Sequence, residues 1–210
     1  MLKANFITAQ EAAEKIQDGS TLCTIGMTLV SASESILKAI EKRFETVGHP
    51  ANITLVHSCG QSDRKDGIQH LAHEGLVKRI VGSHWGLQPR WMEMIANSQV
   101  EAYCLPQGQI AQLYRSMACG LPGKMSKVGL GTFIDPRVEG GKMNDRTKPL
   151  PDIVDIIEYG GEEYMFYKEI PLDTVLIRGT VCDEMGNLTT TEEAMKLEVL
   201  PAVLAAKRYG

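Results

Sequence analysis

The sequence has little of what marks nucleic-acid-binding, membrane and secreted proteins. Its 22 Lys and Arg residues are outnumbered by 26 Asp and Glu residues, and the net charge of -4 gives no basic surface for a polyanion. Apolar runs such as residues 199–206 fall short of the roughly 20 residues that cross a bilayer. Residues 1–6 contain no apolar leader segment. We therefore expect a soluble, cytoplasmic protein that binds neither nucleic acid nor membrane.

The cysteines lack the spacing of a disulfide framework or a zinc site. Five are present, and no two form a C-x-x-C pair, so we expect buried thiols in a reducing compartment. His70, His73 and Glu74 crowd one helical turn and match none of the usual zinc patterns. The sequence therefore predicts no metal site and no bound cofactor.

Three catalytic and nucleotide-binding signatures are also missing. The absence of a G-x-S-x-G motif argues against an α/β-hydrolase. Neither Gly26 nor the Gly129-Leu130-Gly131 run fits G-x-G-x-x-G or the P-loop motif. Gly26 is better explained as the turn between a strand and a helix.

What is present is a regular alternation of short strands and helices. With 210 residues and 43% apolar side chains, the chain predicts a single domain over residues 1–210. β-branched apolar runs predict strands at 21–25, 52–57, 78–82 and 100–105, and helical spacing or capping boxes predict helices from 8, 31, 67, 89 and 107. Such alternation is typical of an α/β fold: an open, doubly wound, mostly parallel sheet with helices on both faces.

The second half of the sequence is less regular. Residues 129–150 predict a long loop because glycine, proline and polar residues interrupt every apolar pattern, and residues 153–170 predict a hairpin. A strand over 174–180 and a last helix capped at 190–193 follow. A doubly wound domain usually returns to its sheet after such a helix. We therefore expect a domain that is incomplete at its C-terminus, with an unpaired edge that favours a homo-oligomer.

Three side chains stand at the carboxyl ends of predicted strands, where open α/β sheets bind ligands. His57 and His84 either line a pocket there or are partly buried histidines with their hydrogen bonds satisfied. Gln107 follows Pro106 at the start of a helix. Its amide either stabilises an oxyanion or caps the helix.

Four longer motifs carry a family resemblance. They are residues 70–79 (HLAHEGLVKR), 82–85 (GSHW), 106–108 (PQG) and 128–137 (VGLGTFIDPR). In this order they resemble the N-terminal half of the family I coenzyme A transferases, with the closest likeness to single-chain propionate or acetate CoA-transferases. The resemblance extends over nearly the whole chain.

The resemblance implies an enzyme that moves CoA between a short-chain acyl-CoA and a free carboxylic acid by a ping-pong route through a glutamyl-CoA thioester. CoA is then a substrate, not a cofactor. The glutamate of this family lies in its C-terminal half, so this chain alone is expected to be inactive. Gln107 takes the oxyanion role, and the expected substrate contacts are Gly26, Met27, Gly108, His57 and His84.

Two alternatives remain open. The chain could be a ligand-binding or sensor domain of the same fold without transferase activity. It could also be the α subunit of a two-chain 3-oxoacid CoA-transferase. The bulky Met27 and Leu29, where the family usually has glycines, leave the identity of the acid open.

Overall fold

A computed structural model describes residues 3–209; Met1, Leu2 and Gly210, which belong to the predicted domain, lie outside the described residues. The centre of the fold is a parallel sheet of five strands in the order β4-β3-β2-β1-β8. Its strands are β1 (Thr21–Thr24), β2 (Ile53–His57), β3 (Val77–Gly82), β4 (Glu101–Cys104) and β8 (Thr174–Leu176). The predicted α/β class with a mostly parallel sheet is confirmed.

Successive residues of the central strands point to opposite faces, and both faces are buried. Leu22 of β1 and Leu55 of β2 pack into one apolar cluster. Their neighbours Cys23 and Val56 pack into a second cluster on the other side. Because both faces exclude water, the strands read as continuous apolar runs instead of alternating ones.

Helices cover the first face of the sheet. They are α1 (Ala9–Glu14), α2 (Glu34–Val47), a 3-10 helix (Gly67–Leu71) and α3 (Pro89–Ala96), and their buried residues belong to the first cluster. The predicted helix at 67–75 is thus shortened to a single 3-10 segment. No helix among residues 3–209 has the length and apolar character needed to span a membrane.

Two helices and a small antiparallel sheet cover the second face. The helices are α4 (Gln107–Ala118) and α5 (Val199–Tyr209), and the sheet has the order β5-β7-β6. Its strands are β5 (Gly123–Ser126), β6 (Val154–Tyr159) and β7 (Glu162–Lys168), of which β6 and β7 form the expected hairpin. Strand β5 was not predicted, because its short sequence has no alternating pattern and is recognisable only by its pairing with β7. A two-stranded ribbon, β9 (Val181–Cys182) and β10 (Leu188–Thr189), precedes α5.

Helix capping agrees with the sequence at one of three places. Thr8 and Glu11 form the reciprocal bonds of a capping box at α1. The box predicted at Ser31 is wrong: α2 is preceded by Ser33, and the hydroxyl of Ser31 instead donates to the Met195 carbonyl at 3.1 Å. The cap predicted at 190–193 is also wrong, since α5 begins only at Val199.

The long loop is an ordered cover for the outer edge of β4. The amide of Cys104 donates to the Gly141 carbonyl (2.7 Å), and the amide of Met143 donates to the Ala102 carbonyl (3.0 Å). Asn144, which is 8% exposed, donates from Nδ2 to the carbonyls of Ile95 and Val100, both at 2.9 Å. The loop thus satisfies backbone groups that an open edge strand would expose.

Asn144→Ala should therefore destabilise the fold. It removes two donated bonds and the acceptor for the Thr147 amide and hydroxyl, so we expect a loss of about 3 kcal/mol in the free energy of unfolding. Urea denaturation of the purified chain measures it. Asp145→Ala is the matched control, because the Asp145 side chain is 85% exposed and its loss should leave the free energy of unfolding nearly unchanged. Equal effects of the two changes would contradict this role of the loop.

Candidate functional site

The topology of the sheet singles out the carboxyl ends of β1 and β8 as a candidate site. Strand β1 is followed by α2 on one face, whereas β8 is followed by α5 on the other. The connections therefore leave these neighbouring strands in opposite directions, which is where open α/β sheets bind ligands. We call the residues that follow the C-terminal ends of the parallel strands the carboxyl edge.

Gly26 and Met27 follow the carboxyl end of β1, in the β1–α2 turn (residues 26–31). The backbones of Met27 and Val30 pair through two bonds of 3.0 and 2.9 Å. Between them Thr28 has φ +53°, a strained conformation for a β-branched residue. A Cβ at Gly26 would lie 3.2 Å from the Val30 carbonyl oxygen, so glycine keeps the turn tight. Gly26 is buried and Met27 half-buried.

His57 lies beneath the carboxyl edge, with both ring nitrogens bonded inside the protein. Its Nδ1 is 2.8 Å from the Cys59 carbonyl, and Trp85 Nε1 lies 3.1 Å from its Nε2. A carbonyl only accepts and an indole N–H only donates, so Nδ1 carries the proton and Nε2 is free of one. Burial lowers the pKa of His57 to about 4. The ring is therefore neutral, and it positions the loop around Cys59 from within the core.

His84 is exposed at the same edge. Its ring fits between two glycines: a Cβ at Gly60 would lie 2.8 Å from Nδ1, and a Cβ at Gly86 would lie 2.9 Å from Nε2. Because glycine has no Cβ at either position, the His84 ring can pack beside the loop that follows β2. Of the two histidines expected to contact substrate, His84 is the one whose ring a ligand can reach.

Gln107 is the first residue of α4, and its side chain is exposed at the carboxyl edge. Pro106 precedes it with extended backbone angles, and no side chain of the described residues caps the first turn. The arrangement leaves the Gln107 amide at the positive end of a helix of 12 residues. Gly108 is also exposed, and a Cβ there would meet no atom within 4 Å, so the backbone is open to a ligand.

Sequence reasoning missed two polar residues at this edge. Glu198 accepts a hydrogen bond from Ser58 (3.0 Å) just after β2, and it follows Leu197, whose φ is +44°. Gln61 is buried under the β1–α2 turn. Gln61 has only a weak local signal, since it follows Gly60 in the loop after β2. The position of Glu198 depends on the course of residues 190–197, which no local pattern predicts.

The cysteine at the edge is not activated as a nucleophile. Cys59 is half-buried, and burial raises the pKa of its thiol above the ordinary value. A thiol of this kind stays protonated at neutral pH.

The groups that the carboxyl edge offers to a ligand are therefore hydrogen-bond donors. The side-chain amide of Gln107 and the backbone N–H groups at the start of α4 can both donate to a negatively charged oxygen.

His70 and His73 belong to an ion-pair network away from the carboxyl edge. Both ring nitrogens of His70 contact carboxylates, Nε2 with Glu34 at 2.8 Å and Nδ1 with Glu41. Burial opposes the charge on the ring, yet the hydrogen bonds to Glu41 and Glu34 raise the pKa of His70 overall. Lys38 lies 3.0 Å from Glu34, so its positive charge balances part of the negative charge of these carboxylates. Two carboxylate–histidine groups here have the spacing of metal ligands, namely Glu34, Asp66, His70 and Glu41, Glu45, His73.

The buried neutral ring of His57 predicts a pH dependence of stability. The unfolded chain binds a proton at His57 near the ordinary value of 6.5, but the folded chain binds it only near 4. Between these values the unfolded state holds more protons, so this residue lowers stability as pH falls from 6.5 to 4. NMR titration of the His57 ring should give a midpoint near 4. A midpoint at or above 6 would contradict the buried, doubly bonded ring.

The sequence and the fold are similar to those of known proteins. The family model described as "Coenzyme A transferase" matches residues 6–208. A caffeate CoA-transferase of Acetobacterium woodii is 43% identical over 208 residues, which are 99% of this chain and 39% of that protein. The acetate CoA-transferase YdiF of Escherichia coli (strain K12) is 37% identical over 97% of this chain and 38% of that protein. The chain thus spans about two fifths of the length of these relatives.

A solved structure shows the same fold. The acyl-CoA transferase YdiF from Escherichia coli O157:H7, crystallised as the apoenzyme, superimposes with a TM-score of 0.94 at 35% identity. The match covers 98% of this chain and 40% of that one. With a family model that matches nearly the whole sequence, the chain belongs to the coenzyme A transferase family.

Proposed function

We propose that this chain supplies the oxyanion-binding part of a transferase that moves CoA between a short-chain acyl-CoA and a free carboxylic acid of the acetate or propionate type. One observation carries the proposal. The side chain of Gln107 is exposed at the start of α4, on the carboxyl edge of the sheet, and the first turn of this helix has no side-chain cap. The names of the relatives, an acetate and a caffeate CoA-transferase, support the reaction class.

The proposed chemistry begins when a glutamate carboxylate attacks the thioester carbonyl. The carbonyl oxygen becomes an anion, CoA leaves as the thiolate, and an acyl-glutamyl anhydride remains. The thiolate then attacks the glutamyl carbonyl and releases the free acid, which leaves a glutamyl-CoA thioester. A second acid reverses both steps. The Gln107 amide and the first turn of α4 stabilise the oxyanion formed at each carbonyl.

Other components of the proposal concern partners and substrates. The glutamate comes from the C-terminal half of the enzyme, outside residues 1–210, and CoA acts as a substrate with no further cofactor. Gly26, Met27, Gly108 and His84 contact the substrates, and His57 positions the loop around Cys59 from below. We further propose that the enzyme is cytoplasmic, since all cysteines are free and fit a reducing compartment. We also propose that it is a homo-oligomer, because an unpaired sheet edge favours pairing with another chain.

The isolated chain should show no CoA transfer, because it lacks the proposed glutamate. A chimera in which this chain replaces the matching segment of E. coli YdiF should restore transfer at ordinary enzyme rates, about 1 to 1000 per second. Both proteins are assayed with propionyl-CoA and labelled acetate, propionate or caffeate.

Three results are informative in this assay. Turnover by the isolated chain would overturn the assignment of the glutamate to another segment. A folded chimera without turnover, whose isolated chain still binds acyl-CoA, would favour a sensor domain. Turnover with caffeate but not with acetate or propionate would overturn the short-chain substrate class.

Gln107→Ala in the chimera should lower kcat by about a hundred- to a thousandfold, because one oxyanion donor is lost. KM should change little, since the bond strengthens in the transition state. Gln112→Ala, at an exposed position of the same helix, is the control. It should leave kcat unchanged.

Steady-state kinetics and melting temperature of the two variants decide the role of Gln107. A less stable but fully active Gln107→Ala enzyme would assign the residue to helix stability and not to catalysis. Because Gln107 makes no capping bond that the substitution could remove, we expect the melting temperature of the Gln107→Ala chimera to stay within a few degrees of the parent.

A further inference from the structure

Buried polar atoms without a protein partner collect at the carboxyl edge. Within residues 3–209 they are the oxygens Thr24 Oγ1, Ser33 Oγ, Gln61 Oε1 and Gln109 Oε1. Each belongs to the end of a parallel strand or to the segment that follows one, after β1, β2 or β4.

Gln61 has the most constrained geometry of the four. It is 1% exposed, and its Nε2 donates to the Thr24 carbonyl at 2.8 Å. A carbonyl oxygen only accepts, so this bond fixes which end of the amide faces β1. The Cγ and Cδ atoms of Gln61 lie against Gly26, where a Cβ would be 3.3 Å from each of them. The side chain thus joins the end of β1 to the start of the β1–α2 turn.

The backbone of Gln61 is held from two further directions. Its carbonyl accepts from the amide of Ile68 at 2.9 Å. With the Gln88 amide oriented to satisfy its neighbours, the oxygen of Gln88 accepts from the Gln61 N–H at 2.8 Å, and its nitrogen donates to the His84 carbonyl at 3.0 Å. Gln61 therefore connects the segments that follow β1, β2 and β3.

The adjacent residue anchors the strained part of the turn. The amide of Thr28, in its left-handed conformation, donates to the Gly60 carbonyl at 2.8 Å. Strain of this kind persists only where surrounding contacts enforce it. The Gly60-Gln61 pair therefore sets both the place and the shape of the turn that carries Gly26 and Met27.

From this arrangement we infer that Gln61 is a positioning residue for the part of the substrate site that carries Gly26 and Met27, which it controls by fixing the β1–α2 turn. The expected effect on enzyme kinetics rests on the proposed function, whereas the expected effect on the structure of the turn does not. Gln61 does not touch the reacting atoms, so its loss weakens substrate binding more than it slows the chemical steps.

The structural consequence is measured by amide hydrogen exchange on the 210-residue chain. Gln61→Met keeps the length of the side chain but removes the donor to Thr24, and should speed exchange of the Met27, Thr28 and Val30 amides by about tenfold. Gln69→Met is the matched control. Gln69 is also 1% exposed, but it accepts from the Arg90 amide and does not contact the turn.

The kinetic consequence is measured in the chimera at a temperature where every variant is folded. Gln61→Met should raise KM for propionyl-CoA by about fivefold and leave kcat within about twofold, whereas Gln69→Met should change neither. Equal exchange rates in the turn of both variants, or an unchanged KM despite faster exchange in Gln61→Met, would overturn the inference. An inactive parent chimera would count against the proposed function, and the exchange rates would still decide whether Gln61 fixes the turn.

Discussion

Parallel pairing of the central strands is the constraint on which the site depends. Since β1, β2, β3 and β4 run in one direction, every segment that leaves a carboxyl end emerges at the same edge of the sheet. Residues as distant in sequence as Gly26, His84 and Gln107 are brought to that edge. The position of β8 beside β1 adds a reversal of the connections at that edge, because the chain leaves these two strands toward opposite faces.

The central sheet could be predicted from sequence because each of its first four strands is marked by a pattern of neighbouring residues. Short β-branched runs and helical spacing identify β1 to β4 and the intervening helices to within a few residues. The remainder depends on distant partners. Asn144 orders the long loop through the carbonyls of Ile95 and Val100, and Ser31 bonds to Met195 instead of capping α2. Neither contact leaves a pattern in the neighbouring sequence.

The candidate site was predictable in part for the same reason. A glutamine after Pro106 at a strand end predicts an amide near a helix N-terminus, and the structure places Gln107 there; its catalytic role stays a prediction. His57 and His84 both stand at the end of a predicted strand, so the sequence does not distinguish them. Their burial differs because it depends on the residues that pack over each strand end. Trp85 and Cys59 enclose His57, whereas His84 stays open. Gln61 was missed, since its importance comes from three segments that only the folded chain brings together.

The most direct test is to map where an acyl-CoA contacts the chain. Amide hydrogen exchange of the YdiF chimera, with and without propionyl-CoA, measures this for every segment at once. The account predicts slower exchange in the segments that follow β1, β2, β3 and β4, around Gly26, Gly60, His84 and Gln107. Protection confined to the opposite edge of the sheet, around Gly19 and Asn52, would contradict it.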